Sequence, residues 1–226
     1  MQYELKDNIA VLAFDDGKAN AVGHAFLDFA NESLDRAASD GAGAVILRGR
    51  EGMFSAGFDL GEFKEGPEAG VAMVLKGFEF LVRLYALPLP VVAACPGHAV
   101  AMGAFILLAC DTRIGVDGDF RVTLPETRIN MELPHILQTI TAARLSPRFI
   151  TRAAIQSEIF SPAVAVDAGF LDHVVPSAEL DEAAMTAAAE LAGLPQQYYA
   201  ANKQFARQAA IETMQAELDK FRAAIV

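Results

Sequence analysis

The sequence predicts an α/β fold. Short runs rich in β-branched and apolar residues alternate with stretches of helical periodicity through the first two thirds of the chain. Several of these runs are continuously apolar, as expected for elements that are covered on both sides. After Ser177 the β-rich runs disappear, and Ala, Glu and Gln recur with helical periodicity. We therefore expect a core over residues 1–176 and a C-terminal helical region over residues 177–226, with Pro176 and Pro195 as boundaries.

The elements of the core follow from local patterns. Runs rich in Val, Ile, Leu and Ala predict strands, and 3.6-residue periodicity predicts helices. In the first helix, apolar residues recur at helical spacing, so that one face packs on a sheet while the acidic residues face water. The predicted strands are residues 9–14, 44–48, 91–94 and 112–116, and the predicted helices are residues 24–38, 70–86 and 101–109.

One stretch imitates a membrane span. Residues 89–110 carry no formal charge and are about long enough to cross a bilayer. However, Pro90 and the Pro96-Gly97-His98 triplet interrupt the run, and the apolar blocks on either side are short. A buried strand, a turn and a buried helix fit this pattern better.

Composition limits the class of protein. The chain has 226 residues, 53% of them hydrophobic, a net charge of −11 and a sequence pI near 4.8. Such acidity opposes nucleic acid and anionic membrane surfaces as partners, because both require clustered Lys and Arg. No secretory signal is visible, so cytoplasm is the expected location. Cys95 and Cys110 lie in apolar runs without a CxxC pair, which predicts buried free thiols.

Several common catalytic signatures are absent from the sequence. It contains no P-loop, HExxH, GxSxG elbow or GxGxxG after a strand. The four histidines share no metal-ligand spacing with one another or with the cysteines. We therefore expect neither a metal nor a redox cofactor.

Two glycine-containing turns remain as candidate sites. Residues 54–60 read FSAGFDL and follow the second predicted strand, and residues 96–103 read PGHAVAMG and follow the third. Glycines at such positions can simply permit tight strand-to-helix turns. They can also bring backbone amides close to a ligand, and each turn taken alone leaves both interpretations open.

Together with their surroundings, these turns resemble the crotonase family of enoyl-CoA hydratases and isomerases. The resemblance is carried by AVILRGREGMFSAGFDL at residues 44–60 and LPLPVVAACPGHAVAMGAFILLACDTRIG at residues 87–115. The dipeptide at residues 20–21, LPET at residues 124–127 and AVDAGFLDHVV at residues 165–175 fall in family order. The resemblance spans residues 9 to 205 and implies a spiral of ββα units, an acyl-CoA thioester as substrate, no separate cofactor, and a homotrimer or hexamer.

The family pattern also assigns site residues by position. It implies that the backbone amides of Phe58 and Met102 form an oxyanion hole, in agreement with the preference of helix N-termini for negative charge. Met102 stands where family members commonly have glycine, and its side chain and that of Phe58 make a small or flat acyl group plausible. The neighbouring residues expected to contact the substrate are Ala56, Gly57, Asp59, Leu60, Gly103 and Phe105.

The same pattern implies an unusual set of acids. Family hydratases use a pair of glutamates, and this chain has Phe105 at the first position and Glu126 at the second. A single base suits enoyl-CoA isomerisation, and an apolar neighbour such as Phe105 should raise the pKa of Glu126. The alternative for Glu126 is a surface acid near a turn. Asp59, Glu62 and Glu132 are weaker candidates for a proton shuttle.

Other functions stay open at this point. Glu126 alone could support hydration, or could activate water for thioester hydrolysis. A non-enzyme alternative is an acyl-CoA-binding or assembly subunit. The C-terminal region is shorter than is usual in the family, which leaves the nucleotide contacts and the oligomer unassigned. Arg48, Lys64 and Lys203 are cationic candidates for phosphate binding, although a solvated surface role is expected for each.

Overall fold

The computed structural model describes residues 1–225 as two β-sheets surrounded by helices. The strands are β1 (Gln2–Lys6), β2 (Ile9–Ala13), β3 (Ala44–Arg48), β4 (Gly52–Ser55), β5 (Val91–Cys95), β6 (Gly97–Val100), β7 (Thr112–Val116), β8 (Val122–Thr123) and β9 (His173–Val175). The α-helices are α1 (His24–Ser39), α2 (Pro67–Ala86), α3 (Met102–Ala109), α4 (His135–Arg144), α5 (Pro147–Ile150), α6 (Pro162–Ala168), α7 (Leu180–Ala192) and α8 (Gln196–Ile225). Short 3₁₀ turns cover Glu62–Glu65, Glu126–Ile129 and Ser177–Glu179, and a π-helical turn covers Thr151–Ile155.

From β3 to β8, consecutive strands lie alternately in two sheets. The larger sheet has the order β1-β2-β3-β5-β7-β9, and the smaller has the order β4-β6-β8. All pairings are parallel except that of β1 with β2. The pairs β3-β4, β5-β6 and β7-β8 each give one strand to each sheet, and α2 and α3 follow the first two pairs. The predicted α/β class is therefore confirmed, and the arrangement is a spiral of ββα units.

The central strands of the larger sheet, β2, β3, β5 and β7, are largely buried. Side chains alternate along β3, so that Val45 and Leu47 join the core formed with α1, α2 and α3, while Ala44 and Ile46 face the other way. On that second face, α7 contributes Leu180, Ala184 and Ala188. The C-terminal helical region thus completes the packing of the sheet, and Pro195 lies between α7 and α8.

The predicted elements of the core are present, with small shifts at their ends. The uncharged stretch from residue 89 to residue 110 consists of β5, β6 and α3, and no helix within residues 1–225 is long and apolar enough to span a membrane. Cys95 and Cys110 are buried free thiols, as predicted.

The prediction of a simple turn at residues 96–103 was wrong, because this segment contains the strand β6 and the start of α3. The predicted turn at residues 54–60 likewise begins inside a strand, because β4 extends to Ser55. Strands of two to four residues lie below the length at which an alternating pattern can be recognised.

Candidate active site

Three segments that are far apart in sequence meet at one edge of the smaller sheet. The strands β4, β6 and β8 are parallel, so their carboxyl ends lie along the same edge. Phe58 lies three residues beyond β4, Met102 lies two residues beyond β6, and Glu126 lies three residues beyond β8. The fold thereby brings the three predicted catalytic residues together.

A cavity of about 520 Å³ lies at this edge. Glu126 is the only titratable side chain among the residues that line it, within residues 1–225; the others are Ala56, Phe58, Leu60, Phe63, Val74, Phe78, Val100, Ala101, Met102, Pro125, Ile129, Met131, Pro134 and Leu137. Of the residues predicted from the sequence, Gly57, Asp59, Gly103 and Phe105 are not part of this lining. The cavity is therefore an apolar chamber with a single acid.

Gly57 allows the first two segments to approach closely. Its φ is +95°, a conformation that favours glycine. A Cβ at this position would lie 2.9 Å from the Cβ of Ala101 and 3.3 Å from the backbone nitrogen of Met102. Gly103 is equally constrained, because a Cβ there would overlap the carbonyl oxygen of Ser55. Both glycines shape the site without lining the cavity.

The amides of Phe58 and Met102 donate to no acceptor within residues 1–225. The amides of Asp59 and Ala101, their neighbours in sequence, donate to carbonyl oxygens at 3.2 and 3.0 Å. Met102 is the first residue of α3, where amides have no intrahelical acceptor and the helix dipole is positive. Two such donors at the wall of an apolar cavity can stabilise negative charge on a bound oxygen.

Two buried polar residues hold the first donor segment in place. The Ser55 hydroxyl donates to the carbonyl oxygen of Asn20 at 2.7 Å and accepts from the Gly57 amide at 3.2 Å. The Asn20 side chain donates to the carbonyl oxygen of Phe14 at 2.8 Å and accepts from the Asp16 amide at 3.0 Å. Neither Asn20 nor Ser55 could be assigned a role from the sequence. Their places within two recognised motifs, the dipeptide at residues 20–21 and FSAGFDL at residues 54–60, were the only signal, and their burial depends on the fold.

Backbone strain occurs at the second donor segment. Ala101 has φ +50° and ψ −125°, a conformation that L-residues rarely adopt. Its amide bonds to the carbonyl oxygen of Thr123 at 3.0 Å, which ties this peptide to β8. Strain of this kind persists where the surrounding structure over-determines the backbone, and here it directly precedes the Met102 amide.

Glu126 is buried, with 5% of its surface exposed, and its Oε2 atom has no hydrogen-bond partner within residues 1–225. The interpretation of Glu126 as a surface acid was therefore wrong. Burial raises the pKa of its carboxyl group, and a hydrogen bond from its own backbone opposes this shift. The apolar surroundings come from cavity residues such as Ile129 and Leu137, whereas Phe105 lies in the core.

The weaker candidate acids lie outside the cavity. Glu62 accepts a hydrogen bond from the backbone amide of His24 at 2.8 Å and pairs with the His24 imidazole. It thereby caps the N-terminus of α1. Asp59 accepts from the Gly61 amide at 2.7 Å within its own turn. Glu132 is exposed. Glu126 is thus the acid that the cavity presents.

The cationic candidates have different environments. Lys64 is exposed, in line with the expected solvated role. Arg48 forms an ion pair with Asp181 at 2.6 Å. The expectation for Lys203 was wrong, because its ammonium group is buried and donates to Asp111 at 2.7 Å. The chain needs this cation to neutralise a buried carboxylate, which sequence position could not reveal.

No group of three or more His, Cys, Asp or Glu side chains within the described part of the chain could hold a metal ion. The expectation that no metal or redox cofactor is needed stays a prediction.

A family model described as enoyl-CoA hydratase/isomerase matches residues 4–224. The chain belongs to this family. The resemblance inferred from the two glycine-containing motifs is therefore confirmed. Two backbone amides and one acid at the edge of the smaller sheet are the candidate site of this member of the enoyl-CoA hydratase/isomerase family.

Similar proteins carry the names of two reactions. The human mitochondrial enoyl-CoA delta isomerase 1 is 31% identical over 83% of this chain, and the match spans 63% of the human protein. An enoyl-CoA isomerase structure from Mycobacterium tuberculosis is 36% identical with a TM-score of 0.93, covering 98% of this chain and 97% of that one. An enoyl-CoA hydratase structure from Mycobacterium marinum is 36% identical with a TM-score of 0.94, covering 100% and 99%. These structures confirm the crotonase fold, but the names of the relatives do not decide between isomerisation and hydration.

Proposed function

We propose that this chain is an enoyl-CoA isomerase that moves a carbon–carbon double bond from position 3 to position 2 of an acyl-CoA thioester. The observation that carries this proposal is the lining of the cavity, where Glu126 is the only titratable side chain within residues 1–225. One carboxylate is enough for a reaction that takes a proton from one carbon and returns it to another. The names of the relatives support an enoyl-CoA substrate.

The first step is proton removal at the carbon next to the thioester. The thioester oxygen accepts hydrogen bonds from the amides of Phe58 and Met102, and Glu126 takes the proton from C2. The electron pair delocalises through the thioester and the neighbouring double bond, which gives a dienolate whose charge lies largely on the oxygen. The two amide donors stabilise this charge in a cavity whose lining is otherwise apolar, where such hydrogen bonds are stronger than in water.

The second step returns the same proton. The protonated Glu126 donates to C4, and the double bond then lies between C2 and C3. No atom is gained or lost, and Glu126 ends as a carboxylate. The raised pKa of Glu126 suits both steps, because it makes the carboxylate a better base and keeps the proton available for return.

Hydration would need a second polar group to hold water over the double bond. The position at which family hydratases carry their other glutamate is occupied by Phe105, which is fully buried in the core. Asp59 and Glu62 lie outside the cavity lining. The same shortage of polar groups opposes hydrolysis of the thioester, since a hydrolytic water would have only Glu126 as a partner.

Product analysis separates these reactions. The purified protein is incubated with 3-enoyl-CoA and, separately, with 2-enoyl-CoA, and the products are identified by mass and chromatography. Conversion of 3-enoyl-CoA to 2-enoyl-CoA without a change of mass, lost in Glu126→Gln, is the expected result. A gain of water by 2-enoyl-CoA would show a hydratase instead, and release of free coenzyme A would show a hydrolase. Binding without turnover would favour the non-catalytic alternative. A homotrimer or hexamer and a cytoplasmic location stay predictions.

A further inference from the structure

Helix α2 carries two glycines on one face, and each lies beneath a phenylalanine ring. Gly70 and Gly77 are seven residues apart, which places them two turns apart on the same side of the helix. A Cβ on Gly70 would lie 2.6 Å from Cδ1 of Phe63, and a Cβ on Gly77 would lie 2.5 Å from Cε1 of Phe58. Glycine weakens a helix interior relative to alanine, so close contact with these rings is the feature that requires it.

The two glycines differ in what they touch. Phe63 lines the cavity but supplies no backbone donor to the predicted oxyanion hole. Phe58 supplies one donor, and Cε of Met102, the residue that supplies the other, would lie 3.7 Å from a Cβ on Gly77. A side chain at this single position of α2 would therefore meet the side chains of both donor residues.

The ring of Phe58 is held from several sides. Its centroid lies 6.5 Å from that of Phe63 and 6.4 Å from that of Phe78, both in edge-on arrangements. The Phe58 amide has no acceptor within residues 1–225, whereas the carbonyl oxygen of the same peptide, that of Gly57, accepts a hydrogen bond from the Val22 amide at 2.8 Å. The seating of the ring on Gly77 therefore adds a side-chain contact to the backbone hydrogen bonds that already orient this peptide.

We propose that Gly77 is a positioning residue of the oxyanion hole, because the space left by its missing side chain seats the Phe58 ring and thereby helps to set the Phe58 amide. This inference rests on the proposed function, because it assigns the two amides to a thioester oxygen. A methyl group at residue 77 would displace the ring and turn the amide away from that oxygen. A displacement of about 1 Å at a catalytic group can cost on the order of a hundredfold in rate.

The test compares Gly77→Ala with Gly70→Ala. Both add one methyl group to α2 beneath a phenylalanine ring, so Gly70→Ala controls for changes in helix stability and packing. For 3-enoyl-CoA isomerisation, we expect Gly77→Ala to lower kcat by about tenfold to a hundredfold with little change in KM. Gly70→Ala should keep kcat and can change KM through Phe63. An equal fall in kcat for both variants, or none for Gly77→Ala, would overturn the inference.

A second readout does not need turnover. A 3-ketoacyl-CoA has an acidic proton on C2, and when an oxyanion hole stabilises the enolate, this proton passes to Glu126 or to water. The enolate absorbs in the near ultraviolet. Gly77→Ala should lower the enolate absorbance and Gly70→Ala should not. If the wild-type protein forms the enolate but does not isomerise 3-enoyl-CoA, this comparison still decides the role of Gly77 while the proposed function fails. Absence of the enolate in the wild-type protein would overturn the inference itself.

A rescue variant guards against misfolding. Phe58→Leu keeps the backbone amide and shortens the side chain that the added methyl group would strike. The double variant of Phe58→Leu and Gly77→Ala should give most of the enolate absorbance that Phe58→Leu gives alone. A double variant that stays as impaired as Gly77→Ala would refute a role that acts through the ring.

Discussion

Replacing Glu126 by glutamine should reduce activity and raise stability together. A positioned general base typically contributes about a hundredfold to ten-thousandfold in rate, so kcat for isomerisation should fall within that range. Leaving a buried polar atom unpaired typically costs about 1–3 kcal/mol, and Oε2 of Glu126 has no partner within residues 1–225. Glutamine is also polar, so we expect a gain near the lower limit, about 1 kcal/mol. For a chain of this size, that gain raises Tm by about 2–4 °C.

The stability gained by Glu126→Gln should depend on pH. Burial raises the pKa of Glu126 above its ordinary value of 4.5, so the folded protein holds this proton more tightly than the unfolded chain. The resulting stability is fully present below the unfolded pKa and is lost as pH rises through the folded pKa. The advantage of Glu126→Gln should therefore be seen at neutral pH and disappear below about pH 4. In the wild-type protein, kcat/KM should rise with pH through the raised pKa, because the base must be deprotonated.

The assays are thermal unfolding followed by circular dichroism at several pH values and isomerisation of 3-enoyl-CoA. Glu132→Gln is the matched control, since Glu132 is an exposed acid six residues further along the chain. It should change neither kcat nor Tm by a measurable amount. Glu126→Gln with normal activity would refute the assignment of the base. A lower Tm at neutral pH would refute the argument that the buried carboxylate is destabilising.

Three further predictions concern the scaffold of the site. Ala101→Gly should raise the free energy of unfolding, measured by denaturant titration, by about 1 kcal/mol, because φ is +50° at this position. A lower free energy of unfolding would contradict this. Ser55→Ala removes the hydroxyl between two segments and should cost about 1–2 kcal/mol and lower kcat more than it changes KM; steady-state kinetics showing only a KM effect would contradict this. Asp111→Ala leaves the ammonium of Lys203 and the guanidinium of Arg207 buried without their shared carboxylate, and should cost about 3–5 kcal/mol; a loss below 1 kcal/mol in thermal unfolding would show that the cations find other partners.

Much of the larger sheet could be predicted from the sequence. Strand β5 is apolar throughout, the first four residues of β3 are apolar, and β-branched residues alternate along β7; helices α1 and α2 carry clear 3.6-residue patterns. Such patterns are strong because both faces of the sheet are covered. The smaller sheet could not be predicted, because its strands are short and β8 has only two residues. These strands exist through pairing with one another, which is a property of the fold.

Individual site residues show the same limit. Phe58, Met102 and Glu126 could be assigned by position in a recognised motif, and the structure brings them to one cavity. Phe105 was expected to contact the substrate from the same motif, yet it lies in the core, because α3 is buried all round and only one end of it reaches the cavity. The ion pair of Lys203 joins residues 92 positions apart, so no local pattern could have indicated its burial.

Three local costs coincide at the edge of the smaller sheet. Glu126 holds an unpartnered buried oxygen, Ala101 has a strained backbone, and the amides of Phe58 and Met102 have no acceptor within residues 1–225. Each is unfavourable for stability, and a fold selected for stability alone would not place them around one cavity. The acid and the donors are complementary to a substrate that gives up a proton and develops charge on an oxygen. A ligand of that kind would satisfy the unpaired groups together, which is why their convergence argues for catalysis.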